Sequence, residues 1–331
     1  MKQIQRFQSE EVLKLLGDST RLAMLRMLIS HSATISQLGE VLGQHPARIR
    51  NHIKQMERAG LVELVSIQLV KNYREKYYRA TARSFFVNMA VFPEPSARGQ
   101  IVILGSDDPA LELLSKTINE KENYPAIYTL PVGSLDGLIY LREKYCQVSG
   151  CHLFDMDSGM YNLPYVRHLF TDQLMILVTL AYRQQGLIVK KGNPLGIANL
   201  NDLTREDVRF VNRKRGAGTR LWLDQQIRSL KINPEEINGY KIELNTHSEV
   251  AESISAGNAD IGLGIFTVAH QHDLDFFPLF EERYDLVTTE KFFHSHRFAP
   301  ILKTLWDPEF KRAVDNLGGY NTSHMGEIVS V

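Results

Sequence analysis

Cysteine is scarce. The 331 residues hold two, Cys146 and Cys151, so a disulfide framework is excluded, together with the small secreted folds that depend on one. No run approaches the ~18 uninterrupted apolar residues of a membrane-spanning helix. The first twenty residues lack the basic stub and apolar stretch of a secretory signal. These absences point to the cytoplasm. Net charge is also lacking, because 38 Lys+Arg balance 38 Asp+Glu; a uniformly basic nucleic-acid coat and an acidic tail are both excluded. Repeats and low-complexity tracts are missing. So are the serine-hydrolase elbow, the zinc-protease helix motif and the P-loop. The Cys146, Cys151, His152 group has no second cluster to complete a structural zinc site. The composition therefore implies no catalysis, no cofactor and no metal.

The zero charge conceals an asymmetry. Residues 1–95 carry 14 Lys+Arg against 8 Asp+Glu, and the remainder carries 24 against 30. A basic front portion on a balanced chain suggests a module that faces a polyanion. The segment VFPEPSARGQ (91–100), with two prolines and a glycine, reads as an extended linker over 91–99. The expected division is a domain over 1–90 and a second over 100–331.

The first domain reads as a winged helix-turn-helix. A helix over 9–17 ends at Gly17, and Asp18 or Ser19 caps a second that buries Leu22, Leu25 and Leu28. A short third helix runs from Ser36 to Leu42. Pro46 opens a fourth, where its missing amide hydrogen has no intrahelical role. That helix turns Ile49, Ile53 and Met56 inward. Two β-rich stretches, 61–70 and 74–80, flank the turn Lys71-Asn72-Tyr73 as a hairpin. In this layout the second helix of the motif enters the major groove and the hairpin is a wing. Gln44, His45, Arg48, Arg50, Asn51, His52 and Lys54 are expected on the exposed face of the fourth helix, with Lys71, Arg74 and Lys76 on the wing. Arginine and asparagine reach base edges bidentately, and lysine more often meets phosphate. The segments KLLGDSTRLAMLRML (14–28), TISQLGEVLG (34–43) and ERAGLVE (57–63) resemble an ArsR-type winged-helix repressor. That resemblance implies a dimer bound to an inverted-repeat operator. The third helix lacks the cysteines of the family's metal sensors, so metal sensing is not implied.

From residue 100 the grammar changes. IVILG (101–105) precedes a helix start at SDDPALELL, PAIYTLPV (125–132) precedes GSLDGL, DVRFVN (207–212) precedes RGAGTR, and YKIEL (240–244) precedes THSEVAESI. Alternating strands and helices imply parallel sheets with ligand loops at the strand carboxyl ends. Ser106, Ser134, Thr219, Thr246 and Ser248 stand at helix N-termini, where free amide hydrogens favour an anion. Arg215, Gly216, Gly218 and Arg220 add a glycine-rich basic turn. His152 and Asp155 are candidates to line the same cleft, as are Asp107 and His247. Carboxylates at Asp107, Asp108, Asp136 and Glu249 would repel a dianion unless engaged elsewhere.

GSLDGL (133–138), CHLFD (151–155), YNLP (161–164), YRQQGLIVKKGNP (182–194), VNRKRGAGTR (211–220) and ADIGLGI (259–265) together resemble the periplasmic-binding-protein-like domain attached to molybdenum-related proteins and regulators. The resemblance implies a mixed fold class: an N-terminal winged helix-turn-helix plus a C-terminal two-lobed α/β domain of type II periplasmic-binding-protein kind. One lobe would comprise about 100–180 and 288–331, the other about 181–287, with ligand between them. It implies a one-component regulator that binds operator DNA and a small oxyanion such as molybdate or tungstate, acting as a homodimer without membrane association. Two alternatives stay open: a molybdopterin-handling enzyme or carrier with the winged helix as an interaction module, and a regulator of LysR-like logic sensing a small organic acid.

Overall fold

Gly17, Gly43 and Gly60 punctuate the first sixty residues, and a helix ends at or just before each of them. The computed structural model describes residues 1–7, 9–70, 73–87 and 99–331. The chain divides into two compact units, residues 1–93 and 94–331. Lys71 and most of the expected linker lie outside the described residues.

The first unit runs β1 (Lys2–Phe7), α1 (Glu10–Leu16), α2 (Ser19–Ser30), β2 (Ala33–Thr34), α3 (Ile35–Leu42), α4 (Pro46–Arg58), β3 (Val62–Val70), β4 (Tyr73–Ala80) and β5 (Ala82–Val87). Local chemistry explains the boundaries. Asp18 caps α2 by accepting from the Arg21 amide at 2.9 Å. Thr34 and Gln37 form a reciprocal capping box on α3. Gly43 takes the left-handed conformation, φ 60°, that ends α3. Leu25, Leu28, Leu38, Ile49, Ile53, Met56 and Leu61 close one core. Arg21 ties three helices together: it donates to the Leu15 carbonyl at 2.6 Å and to Gln55 at 3.2 Å. β2, β4 and β3 form the antiparallel wing sheet. The parallel pairing of β1 with β5 is a feature that sequence reading did not anticipate.

The second unit continues with β6 (Gln100–Gly105), α5 (Pro109–Asn119), β7 (Ala126–Pro131), α6 (Ser134–Arg142), β8 (Val148–Cys151), β9 (Phe154–Asp155), β10 (Met160–Tyr161), α7 (Leu163–Leu169) and β11 (Met175–Val189). It proceeds through β12 (Phe210–Arg213), α8 (Gly218–Ser229), β13 (Glu243–Leu244), α9 (His247–Ser255), β14 (Ile261–Ile265), α10 (Phe266–Gln271) and β15 (Asp275–Thr289). It closes with α11 (Glu290–Phe293), α12 (Ala299–Leu305), α13 (Pro308–Asp315), β16 (Tyr320–Asn321) and β17 (Ile328–Ser330). The main sheet has the order β13-β12-β14-β11-β15-β8-β6-β7.

The long strands β11 and β15 pair antiparallel over their whole length and pass through both lobes. At one end they join β8, β6 and β7, over a core that includes Ile103, Leu114, Val178, Tyr284, Phe298 and Leu305. At the other they join β14, β12 and β13, over Leu187, Phe210, Leu223, Ile227 and Leu263. Register shifts at Thr179/Ala181 and Gln185/Gly186 flank the midpoint, where Arg183 opposes Glu282. Bulges add twist, which lets one ribbon serve two differently oriented lobes. The loops after β6, β7, β12 and β13, each leading into a helix, meet at the junction. The two-lobed α/β architecture that the family resemblance implied is thus the one observed.

Candidate functional site

On α4, Arg48, Arg50, Asn51 and Lys54 are exposed, as are Arg74 and Lys76 on β4. Arg50, Lys54, Arg74 and Lys76 line one groove of about 730 Å³, with Glu57 and Glu75 as its acidic members. His45 is the exposed N-cap of α4, its Nδ1 accepting from the Ala47 amide at 3.3 Å. Gln44 accepts from Arg48 at 3.0 Å, which steadies that arginine beside the helix start. His52 departs from expectation. It is buried against the core with both ring nitrogens unpartnered. Burial pushes its imidazole below the ordinary value, with Asp18 pulling the other way. At the i+3 position from Ile49 it shares the apolar stripe rather than the basic face.

The second unit gathers a buried polar network where its lobes meet. His152, just past β8, places Nδ1 2.8 Å from Glu282 Oε2 and Nε2 2.9 Å from Ser106 Oγ. Its amide donates to Ser134 Oγ at 3.3 Å. Arg183 donates from Nε to Glu282 Oε1 at 2.6 Å and pairs with Asp108 through Nη1. Gln185 Nε2 donates to the same Glu282 oxygen at 2.8 Å and to Thr219 Oγ1 at 2.9 Å. Asp107 bridges the lobes: it accepts from Arg213 Nη2 at 2.8 Å and from the His247 amide, at the N-terminus of α9, at 3.0 Å. The Gly216 carbonyl accepts from the Leu135 amide at 3.3 Å. Gly218 must be glycine, because a Cβ there would lie 2.6 Å from the His152 ring.

Several buried groups of this network keep unsatisfied capacity. Among the described residues, Arg183 Nη2, Arg213 Nε and Nη1, Gln185 Oε1 and both ring nitrogens of His247 have no hydrogen-bond partner. Arg183 and Arg213 are only 1% and 2% exposed. Buried guanidinium hydrogens are costly to leave unmet, and their natural partner is an anion. Burial alone would raise the Glu282 carboxyl. His152 and Arg183 beside it, with hydrogen bonds from His152 and Gln185, outweigh burial and hold it at about 2. Burial lowers the His152 imidazole despite the neighbouring Glu282. Burial and the charges of Arg213 and Arg183 lower His247 further.

The structure thus brings Ser106, Asp107, Ser134, His152, Gly216, Gly218, Thr219 and His247 together, and separates four other candidates. The Asp155 carboxylate turns away to close a local loop on Ser158, accepting from its amide at 2.9 Å and its hydroxyl at 2.6 Å. The Arg215 side chain is 85% exposed beside Glu243. Arg220 is buried but spent, donating to Asp224 at 2.7 Å and to the Arg213 carbonyl at 3.2 Å above the Tyr240 ring. Ser248 lies half-buried in the first turn of α9, whose cap is Thr246. Asp108 is likewise committed: it caps α5 through the Ala110 and Leu111 amides at 2.7 and 3.1 Å. Sequence reading missed Arg183, Gln185 and Glu282, and within the basic run 213–220 it chose Arg215 and Arg220 rather than Arg213. A signal existed, since YRQQ (182–185) and EERYD (281–285) interrupt otherwise apolar strands.

The cysteines have no part in the network. Both are buried and free, and burial pushes the Cys146 thiol up to about 12. Among the described residues no group of three or more His, Cys, Asp or Glu could hold a metal, and no helix is long and apolar enough to cross a membrane.

A family model described as a PBP superfamily domain matches residues 116–306, and one described as a helix-turn-helix domain matches residues 16–65. The chain is 35% identical over 240 residues to the uncharacterised Bacillus subtilis protein YvgK, covering 71% of this chain and 75% of the relative. It is 36% identical over 109 residues to an uncharacterised Clostridium pasteurianum protein from the 5′ region of a 2Fe-2S ferredoxin gene, covering 33% of this chain and 96% of that one. Among solved structures, one assigned as a phosphate ABC transporter substrate-binding protein with bound phosphate, from Clostridium perfringens, superposes with a TM-score of 0.51 at 16% identity. That match covers 69% of this chain and 99% of the other and shows a shared fold. With a family model spanning more than half its length and a helix-turn-helix domain preceding it, the chain belongs to the PBP superfamily.

Proposed function

We propose that this protein is a one-component regulator. The α4–wing groove binds operator DNA, and the junction of the two lobes in the second unit binds a small anion. The observation that carries the ligand reading is the pair of buried arginines, Arg183 and Arg213, whose remaining guanidinium hydrogens have no protein partner. The ligand class is a small oxyanion or small organic acid. The phosphate held by the Clostridium perfringens neighbour of shared fold supports the oxyanion half of that statement. Ligand acts by its differential affinity for two conformations, as any effector must. The working form is a cytoplasmic homodimer on a two-fold operator.

The order Glu282–His152–Ser106 matches the hydrogen-bond order of a serine nucleophile relay. However, the Ser106 amide, a natural oxyanion donor, is committed to the Gly150 carbonyl at 3.0 Å. This favours binding over acyl transfer.

The test has two arms. Thermal unfolding of the full chain is followed with molybdate, tungstate, phosphate, sulfate and short carboxylates; a true ligand at ~100 times its Kd adds about 2.7 kcal/mol. In parallel, Arg48→Ala and Lys54→Ala are assayed on operator fragments. We expect lost DNA affinity with the anion response intact. Unaltered DNA binding in both variants would remove the regulator reading.

A further inference from the structure

The polarity of the polar network narrows the ligand, on the reading that the lobe junction takes a small anion. Glu282 Oε1 already receives two donors, Arg183 Nε and Gln185 Nε2. Its other oxygen faces His152 Nδ1 at 2.8 Å. An ionised carboxylate only accepts, so Nδ1 must be the protonated nitrogen. Burial of the ring, 1% exposed, favours its neutral form, in which Nε2 carries a lone pair and the Ser106 hydroxyl 2.9 Å away donates to it. The ring and the Ser106 backbone are held in place by further contacts. Tyr284 stacks on the imidazole at 5.8 Å, and its hydroxyl donates to the Ser106 carbonyl at 2.5 Å. The Ser106 amide is held by Gly150. With its one hydrogen spent on His152, Ser106 Oγ retains only lone pairs. Gln185 is fixed in the same sense: its Nε2 is occupied twice, and the unpartnered atom is the acceptor Oε1.

We propose that the Glu282–His152–Ser106 relay makes Ser106 Oγ a hydrogen-bond acceptor, and so selects an anion that keeps a hydroxyl hydrogen over a fully deprotonated anion of the same shape. The guanidinium hydrogens of Arg183 and Arg213 meet the ligand's charged oxygens, and the acceptors Ser106 Oγ and Gln185 Oε1 are the groups left for its O–H. A stripped tetrahedral dianion such as sulfate or molybdate satisfies the donors but sets lone pair against lone pair at the acceptors. The local charge agrees. Asp107, Asp108 and Glu282 outnumber Arg183 and Arg213, so added negative charge is disfavoured and a retained hydrogen is favoured. Hydrogen phosphate and 2-hydroxy carboxylates both have this chemistry.

The experiment is isothermal titration of the full chain, wild type and Ser106→Ala, with two matched pairs. At mildly alkaline pH, monohydrogen phosphate and sulfate are tetrahedral dianions of similar size, and only the phosphate carries a hydroxyl hydrogen. Lactate and propionate differ by one hydroxyl. In at least one pair the hydroxyl-bearing member should bind tenfold or more tighter, and Ser106→Ala should bring that ratio close to one while Ser106→Thr retains it. The pair that responds identifies the source of the hydroxyl. Equal or tighter binding of sulfate and propionate overturns the inference and leaves the small-anion reading intact. A preference that survives Ser106→Ala also overturns it. Binding of none of the four overturns both. Should Ser106→Ala fail to fold by circular dichroism, the wild-type ratios and Ser106→Thr decide.

Discussion

Charged residues in the middle of apolar strands carry the interest of this molecule. Arg183 and Glu282 face each other across β11 and β15 at the one place where the ribbon leaves both hydrophobic cores. Burying them is costly unless each is paired and hydrogen-bonded, and each is. Their environment makes stability depend on pH. His247 and His152 have folded values below the ordinary 6.5 because they are buried. The unfolded chain therefore takes their protons first. Their contribution is complete above about 6.5 and is lost as pH falls below it. Glu282, held at about 2 against an ordinary 4.5, has the same sign: its contribution is complete above 4.5 and fades as pH falls toward 2. Asp285, raised by burial, works the other way. Urea midpoints of the second unit should therefore fall between about pH 7 and 5. A flat profile over that interval would contradict neutral, buried histidines.

At the scale of elements, the helix N-termini are where sequence patterns were both informative and misleading. Asp18 and Thr246 cap the helices their positions suggested, whereas α3 is capped by Thr34, two residues before the expected Ser36, and α5 by Asp108, two residues after Ser106; capping depends on three or four consecutive residues. What a cap does beyond its helix is not local. Asp108 also pairs with Arg183 and accepts from the Tyr320 hydroxyl at 3.1 Å. Asp108→Ala removes a cap and leaves a buried guanidinium with one carboxylate fewer. We expect a loss of about 3–5 kcal/mol by chemical denaturation; a loss under ~1 kcal/mol would mean the capping bond is its whole contribution. The glycine-rich turn at 213–220 shows the opposite error. Its arginines at 215 and 220 attract notice by spacing, yet Arg213, at the last position of β12, is the one that reaches the lobe junction. Strand alternation decides which arginine points in, and the exact end of β12 is not written in the local sequence.

At the scale of the whole molecule, Asp107 stands where a ligand's anionic group would be expected. Its carboxylate occupies Arg213 and the free amide at the start of α9, one lobe reaching into the other. An anion bound as proposed would have to share or displace it. Asp107→Asn keeps the shape and removes the charge, leaving Arg213 without its carboxylate. Affinity for inorganic phosphate should rise about tenfold in titration, the direction set by removing a like charge from the site. Unchanged or weaker binding would mean that Asp107 aids the ligand rather than competing with it.

The sequence by itself determined the division into a basic helix-turn-helix portion and an α/β portion, the four helices and hairpin of the first, and the strand–helix alternation of the second. These rest on hydrophobic period, caps and turn residues, which act over a handful of neighbours. It also marked Ser106, Asp107, His152 and His247. Only the tertiary structure decided that β1 pairs with β5, that His52 turns inward, that Asp155 and Arg220 are committed elsewhere, and that Arg183, Gln185 and Glu282 complete the site. His152 and Glu282 lie 130 positions apart. No local pattern encodes a contact of that separation. It exists because two long strands cross between lobes and bring the network within hydrogen-bonding distance.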